Sequence, residues 1–193
     1  MNNSGTDLIK VLNQVQDFFG EVAALLLTAD SLMAKADWIS RTGNTAISGM
    51  SYSLYYPRQW LPNFPYRFYE NKNTPHLLPL ISTIISVGNK KDQELLPQPL
   101  ISAALYEYQG NGEAINTEKY YEFASWHLWM PNRRNDGTIC ELDPRIDPDW
   151  ANECSARNIK SFALPLFDIS DANTLQKRII EPLLTLVAKS GPS

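Results

Sequence analysis

Apolar side chains recur at Leu8, Leu12, Val15, Phe19, Val22, Leu26, Ala29 and Met33, in alternating steps of four and three residues with none missed. That alternation keeps one face of an α-helix apolar for about four heptads, the pattern of a coiled-coil seam. Val11, Phe18, Leu25 and Leu32 form a second apolar row beside it, so the stripe is wider than a bare seam. The spacing predicts one helix over 7–38, with Ser4 and Asp7 in capping-box relation at its start. Gly20 is its weak interior position, costing ~1 kcal/mol against Ala.

The length of this helix limits what the chain can become. At about 1.5 Å per residue it spans roughly 48 Å. A single domain of 193 residues is only ~30–35 Å across. The helix must therefore bend near Gly20, project past its own core, or lie in an oligomer interface. Leu8, Leu12, Val15, Phe19, Val22 and Leu26 are the candidate oligomerisation residues, and a homodimer is the simplest cover for them. The competing expectation is a plain core helix, because a stripe this wide also serves as one side of a core.

The rest of the chain reads as strands followed by a helix. Arg41–Gly49 is a loop by composition, and Pro57, Pro62 and Pro65 break the next stretch into Ser51–Tyr56 and Tyr66–Tyr69. Prolines confine such runs to sheet edges or extended coil. Leu77–Val87, Leu100–Tyr108, Tyr120–Met130 and Ile159–Ile169 are rich in β-branched and aromatic residues and are bounded by turn residues. Tyr120–Met130 and Ile159–Ile169 are apolar on both faces, which places them inside a covered sheet. Asn135-Asp136-Gly137 and Gly110-Asn111-Gly112 are turn signals. The chain closes with a helix over 171–189, capped by Ser170 or Asp171 and kinked at Pro182. With no helix between the strands, the expected fold is one α+β domain over 1–193. It has a long N-terminal helix, a mainly antiparallel sheet of five or six strands and a C-terminal helix.

Composition narrows the function classes. A net charge of −4 without a Lys/Arg block denies the chain the clustered positive field of a nucleic-acid surface. The N-terminal Met-Asn-Asn-Ser-Gly-Thr-Asp lacks the positive region of a signal peptide, and the most hydrophobic window is too short for a bilayer. Cys140 and Cys154 are expected to be reduced thiols, so the expected setting is the cytoplasm, with no membrane partner.

Catalytic signals are sparse. The histidines are His76 and His127, and neither Ser125 nor Ser161 sits in a Gly-x-Ser-x-Gly elbow. Cys140, Cys154 and His127 lack the paired spacing of a zinc site. No Gly-rich nucleotide cradle occurs. Asp143, Asp147 and Asp149 are acidic enough for a divalent cation, but their Asp-Pro pairs read more simply as successive turns. No catalytic residue, metal or cofactor is assigned.

The segment between Tyr52 and Tyr69 is dense in aromatics, prolines and arginines. Tyr, Trp and Arg are the residues enriched at interface hot spots. Tyr52, Tyr55, Trp60, Tyr66 and Tyr69 are therefore the candidate partner-binding residues, with a flap packed over the sheet as the alternative. The sequence thus favours a non-enzymatic protein-binding or assembly module, with a protein partner or a second copy of itself as the target. Two rivals are a small hydrolase-like enzyme built on His127 and the acidic loop 141–149, and a sensor that binds a small ligand between helix and sheet.

Overall fold

A computed structural model describes residues 4–46, 54–55, 61–62, 64–85, 98–108, 135–142 and 156–190. The first helix, α1, runs Ser4–Ala34. It begins at the expected capping residue and ends four residues short of the predicted bound at 38. The stop is a backbone event at Asp37, which takes a φ of 63°. Trp38 N–H then donates to Met33 C=O at 3.1 Å and Asp37 N–H to Ala34 C=O at 3.1 Å, the paired bonds of a Schellman closure. Trp38 and Met33 are both buried in the same core cluster, so the closure is sealed by apolar packing.

Among the described residues six strands follow: β1 (Ile39–Ser40), β2 (Tyr66–Glu70), β3 (Leu77–Ile84), β4 (Leu100–Tyr108), β5 (Cys140–Leu142) and β6 (Ala156–Pro165). They form one sheet in the order β1-β2-β3-β4-β6-β5. Every pairing is antiparallel. The α+β fold expected from the sequence is the one observed. The expected strand Leu100–Tyr108 is reproduced residue for residue, whereas Tyr120–Met130 lies outside the described residues. The run Ile159–Ile169 divides differently from expectation: β6 starts earlier, at Ala156, and a 3₁₀ turn (Leu166–Asp168) follows Pro165.

Tyr66–Glu70 is not an edge strand, contrary to the proline argument. It pairs with β1 through Ile39↔Glu70 and with β3 through Phe68↔Leu80. Pro65 lies just outside it and takes part only as an acceptor, receiving Thr83 N–H at 2.9 Å. Inside β3 the β2 ladder stops at Leu80, one residue before Pro79, which has no N–H to give.

After the 3₁₀ turn come α2 (Ala172–Leu175), a π-helical turn (Gln176–Ile180) and α3 (Glu181–Lys189). Asp171 caps α2 by accepting Thr174 N–H at 2.8 Å. Pro182 cannot donate to the preceding turn, and the chain answers by widening that turn: Glu181 N–H reaches Gln176 C=O, five residues back. The predicted single kinked helix is thus three helical pieces.

Both helical layers pack on one face of the sheet. Val22, Leu26, Ala29 and Met33 of α1 and Leu175, Ile179, Leu183 and Leu186 of the C-terminal pieces meet Ile81, Ile101, Ala103 and Phe162. On the opposite face Tyr66, Phe68, Leu80 and Tyr106 are also fully buried. Every residue of β3 and β4 is buried, which explains why these strands carry apolar side chains on both faces. Among the described residues, no helix is long and apolar enough to cross a membrane.

Candidate docking surface on the first helix

The apolar stripe of α1 is used twice. Its C-terminal half is core: Val22, Leu26, Ala29 and Met33 are at most 4% exposed. Its N-terminal half carries the same pattern into solvent, with Leu8 59%, Val11 53% and Leu12 52% exposed and Val15, Phe18 and Phe19 half-buried. Helical periodicity puts Leu8, Leu12, Val15 and Phe19 on the face that their successors bury against the sheet, because each lies one or two heptads before Val22 or Leu26. Of the predicted oligomerisation residues, Leu8, Leu12, Val15 and Phe19 thus stand at the surface. Val22 and Leu26 belong to the core of their own domain and are not available to a partner.

Beside the middle of α1 a groove of about 510 Å³ opens between the helix and the segment Leu166–Leu175. Phe18, Leu25, Phe167 and Leu175 supply its apolar wall, while Glu21 and Asp171 bring carboxylates to it. Phe18 joins groove and stripe into one surface, lying 5.7 Å from Phe19 and 6.5 Å from Phe167 between ring centroids. Phe167 is itself 67% exposed. The backbone N–H of Thr174 holds the Asp171 carboxyl below the usual carboxylate range, so it stays anionic. Among the described residues, neither Glu21 nor Asp171 has a basic side chain within ion-pair distance.

The predicted partner-binding aromatics are dispersed. Tyr55 is 90% exposed, while Tyr52 and Trp60 lie outside the described residues. Tyr66 and Tyr69 are fully buried on opposite faces of β2, so they pack the interior and offer no surface to a partner. Tyr66 meets Phe68 edge to face at 5.4 Å. Tyr69 donates its hydroxyl to Asp30 Oδ1 at 3.0 Å. Burial and the neighbouring Asp30 carboxylate both push the Tyr69 phenol upward, so it remains a donor. Arg67 reaches the same carboxylate through Nε at 3.1 Å and through Nη2, and it also donates to Gly43 C=O. The interface-like chemistry of Arg and Tyr is used here to clamp α1 to β2.

No known protein family, curated protein or solved structure matches this chain.

A second polar cluster lies where the end of α3 meets β4 and β6. Glu107, whose side chain is 7% exposed, accepts from Lys160 Nζ at 2.7 Å and from Ser190 Oγ at 2.6 Å. Lys160 Nζ also donates to Ser190 Oγ at 3.1 Å, and Arg157 stands 3.6 Å from the other Glu107 oxygen. A serine beside a lysine suggests a nucleophile with its base. The electrostatics oppose this. Burial alone would raise the Glu107 pKa, but the hydrogen bonds from Lys160 and Ser190 and the nearby cations outweigh it and lower the value. Lys160 and Ser190 both direct donors to that carboxylate, so the pair is held as an anchor and not as a nucleophile with its base. The cluster ties the end of α3 to β4 and β6. The sequence offered no signal for it, because its hydrogen-bonded members Glu107, Lys160 and Ser190 lie 30 to 83 residues apart.

His127, Asp143, Asp147, Asp149 and Cys154 lie outside the described residues. Cys140 is a free, partly exposed thiol. Among the described residues, no three His, Cys, Asp or Glu side chains gather as a metal site would require.

Proposed function

We propose that this protein is an assembly module that docks through the projecting half of α1, with no catalytic step assigned to it. The observation that supports this reading is the division of one apolar face into a buried half and an exposed half. Apolar surface left in water costs ~25 cal/mol per Å². Contiguous exposed apolar patches on soluble domains commonly mark interaction sites. The cytoplasm is the setting we propose, in keeping with the free thiol of Cys140.

The test is photo-crosslinking in the native host, with a photoreactive residue at Leu12 and, as a control, at the exposed Thr185 of α3. Discrete adducts from position 12 and none from position 185 are expected. Absence of adducts from position 12 would overturn the docking reading.

A further inference from the structure

We propose that the groove between α1 and the segment Leu166–Leu175 binds a small organic ammonium, a cation carried on a hydrocarbon body. The site goes beyond the docking reading, because Leu8 and Leu12 line no part of it.

The cavity sets the size and the body of the ligand. Its volume of about 510 Å³ falls within the ~300–1,000 Å³ of small-molecule sites. Leu166 and Leu175 are buried along it, while Phe18, Leu25 and Ile169 are half-buried and Phe167 is exposed. Those four side chains leave apolar surface on both walls for a hydrocarbon to cover.

Hydrogen-bonding capacity sets the head group. Among the described residues, the polar side chains lining the groove are Glu21, Thr28, Ser170 and Asp171. Thr28 donates its hydroxyl to Ala24 C=O at 2.8 Å, and Ser170 donates its own to Asp171 Oδ2 at 3.1 Å. With both hydroxyl protons engaged, these side chains present only acceptors to an occupant, and two of the four are carboxylates. An ammonium, which has donors and no acceptor, matches that inventory. A carboxylate or phosphate ligand would find no side-chain donor and would meet like charge on both walls. A neutral occupant would take water from the two carboxylates without supplying a countercharge. Glu21 lies three residues from Phe18 and four from Leu25, so one face of α1 offers charge and hydrocarbon together. The net charge of −4 draws a cation toward the chain and repels an anion.

The experiment titrates the full chain at pH 7 with octylammonium, octanol and octanoate, following the NMR methyl shifts of Leu25 and Leu175. Octylammonium is expected to move both with a Kd of about 1 mM or tighter. Octanol should bind at least about tenfold more weakly, and octanoate should move neither methyl. Glu21→Gln, at an exposed position, should weaken octylammonium binding about tenfold. Asp171→Ser, which removes the charge but keeps a capping side chain, should do the same. Glu181→Gln, exposed on α3 and outside the groove, should leave the affinity unchanged. Unmoved methyls, octanol binding as tightly as octylammonium, an affinity indifferent to Glu21→Gln or Asp171→Ser, or an equal loss from Glu181→Gln would overturn the proposal.

Discussion

Two carboxylates do the same work from different degrees of burial: the Glu107 side chain is 7% exposed and that of Asp30 21%. Asp30 accepts from Arg67 and Tyr69 and secures α1 to the sheet, and Glu107 accepts from Lys160 and Ser190 and secures the end of α3. Each is satisfied by several donors, the condition under which a buried charge is tolerated. The folded state holds Glu107 below its ordinary value of 4.5. Its contribution to stability is therefore complete above the unfolded value and is lost as pH falls through the lower folded one. Glu107→Gln should cost about 1–3 kcal/mol at pH 7, where it weakens the bonds from Lys160 and Ser190. The difference from the parent should shrink as the pH is lowered below ~4. Urea titrations of both proteins across that range would show it, and a difference independent of pH would contradict the role assigned to the carboxylate.

At the scale of elements, α1 stands out for staying helical where it has little to pack on. It is 31 residues long, about 46 Å, and helical at Gly20. Gly20 is exposed, and a Cβ placed there meets nothing within 4 Å. Gly20→Ala should accordingly stabilise the protein by ~0.5–1 kcal/mol through backbone entropy alone, read as a rise in the denaturation midpoint. A loss of stability would mean that the helix needs its glycine for a bend. Gly137 is the contrasting case. It takes a φ of 82°, and a Cβ there would come within 3.2 Å of Leu164 Cδ2. The C-terminal helix shows how an element absorbs a local conflict: the π turn before Pro182 re-routes one hydrogen bond, and Leu183 and Leu186 still reach the core.

For the molecule as a whole, the domain is finished without the first turns of α1. Val22 to Met33 suffice to cover the sheet beside the C-terminal helical pieces, and Leu8 to Phe19 extend beyond that core. Leu26→Ala should cost about 2–5 kcal/mol, because Leu26 is 4% exposed and its removal leaves a cavity. Leu12→Ala should cost less than about 0.5 kcal/mol in the monomer, as at an ordinary surface position. Equal losses at the two positions would place the N-terminal half of α1 in the core of its own domain.

The fold class, the long helix and the central strand Leu100–Tyr108 were legible in the chain, because each rests on a local signal: a 3.5-residue period for the stripe, and a run rich in β-branched and aromatic residues bounded by turn residues for the strand. The helix length against the domain size also pointed to a projecting segment. What no local pattern carries is which turn of a uniform stripe meets the sheet. Val22 and Leu12 are equivalent by spacing, yet one is core and the other solvent-facing, since the sheet's width decides where burial ends. The same holds for Tyr66 and Tyr69, whose composition suggests an interface until pairing with β1 and β3 encloses them. The groove beside Phe18 and the Glu107 cluster join residues distant in sequence, and such proximity exists only after the chain has folded. Periodicity is a property of neighbours along the chain; burial, charge pairing and surface are properties of neighbours in space.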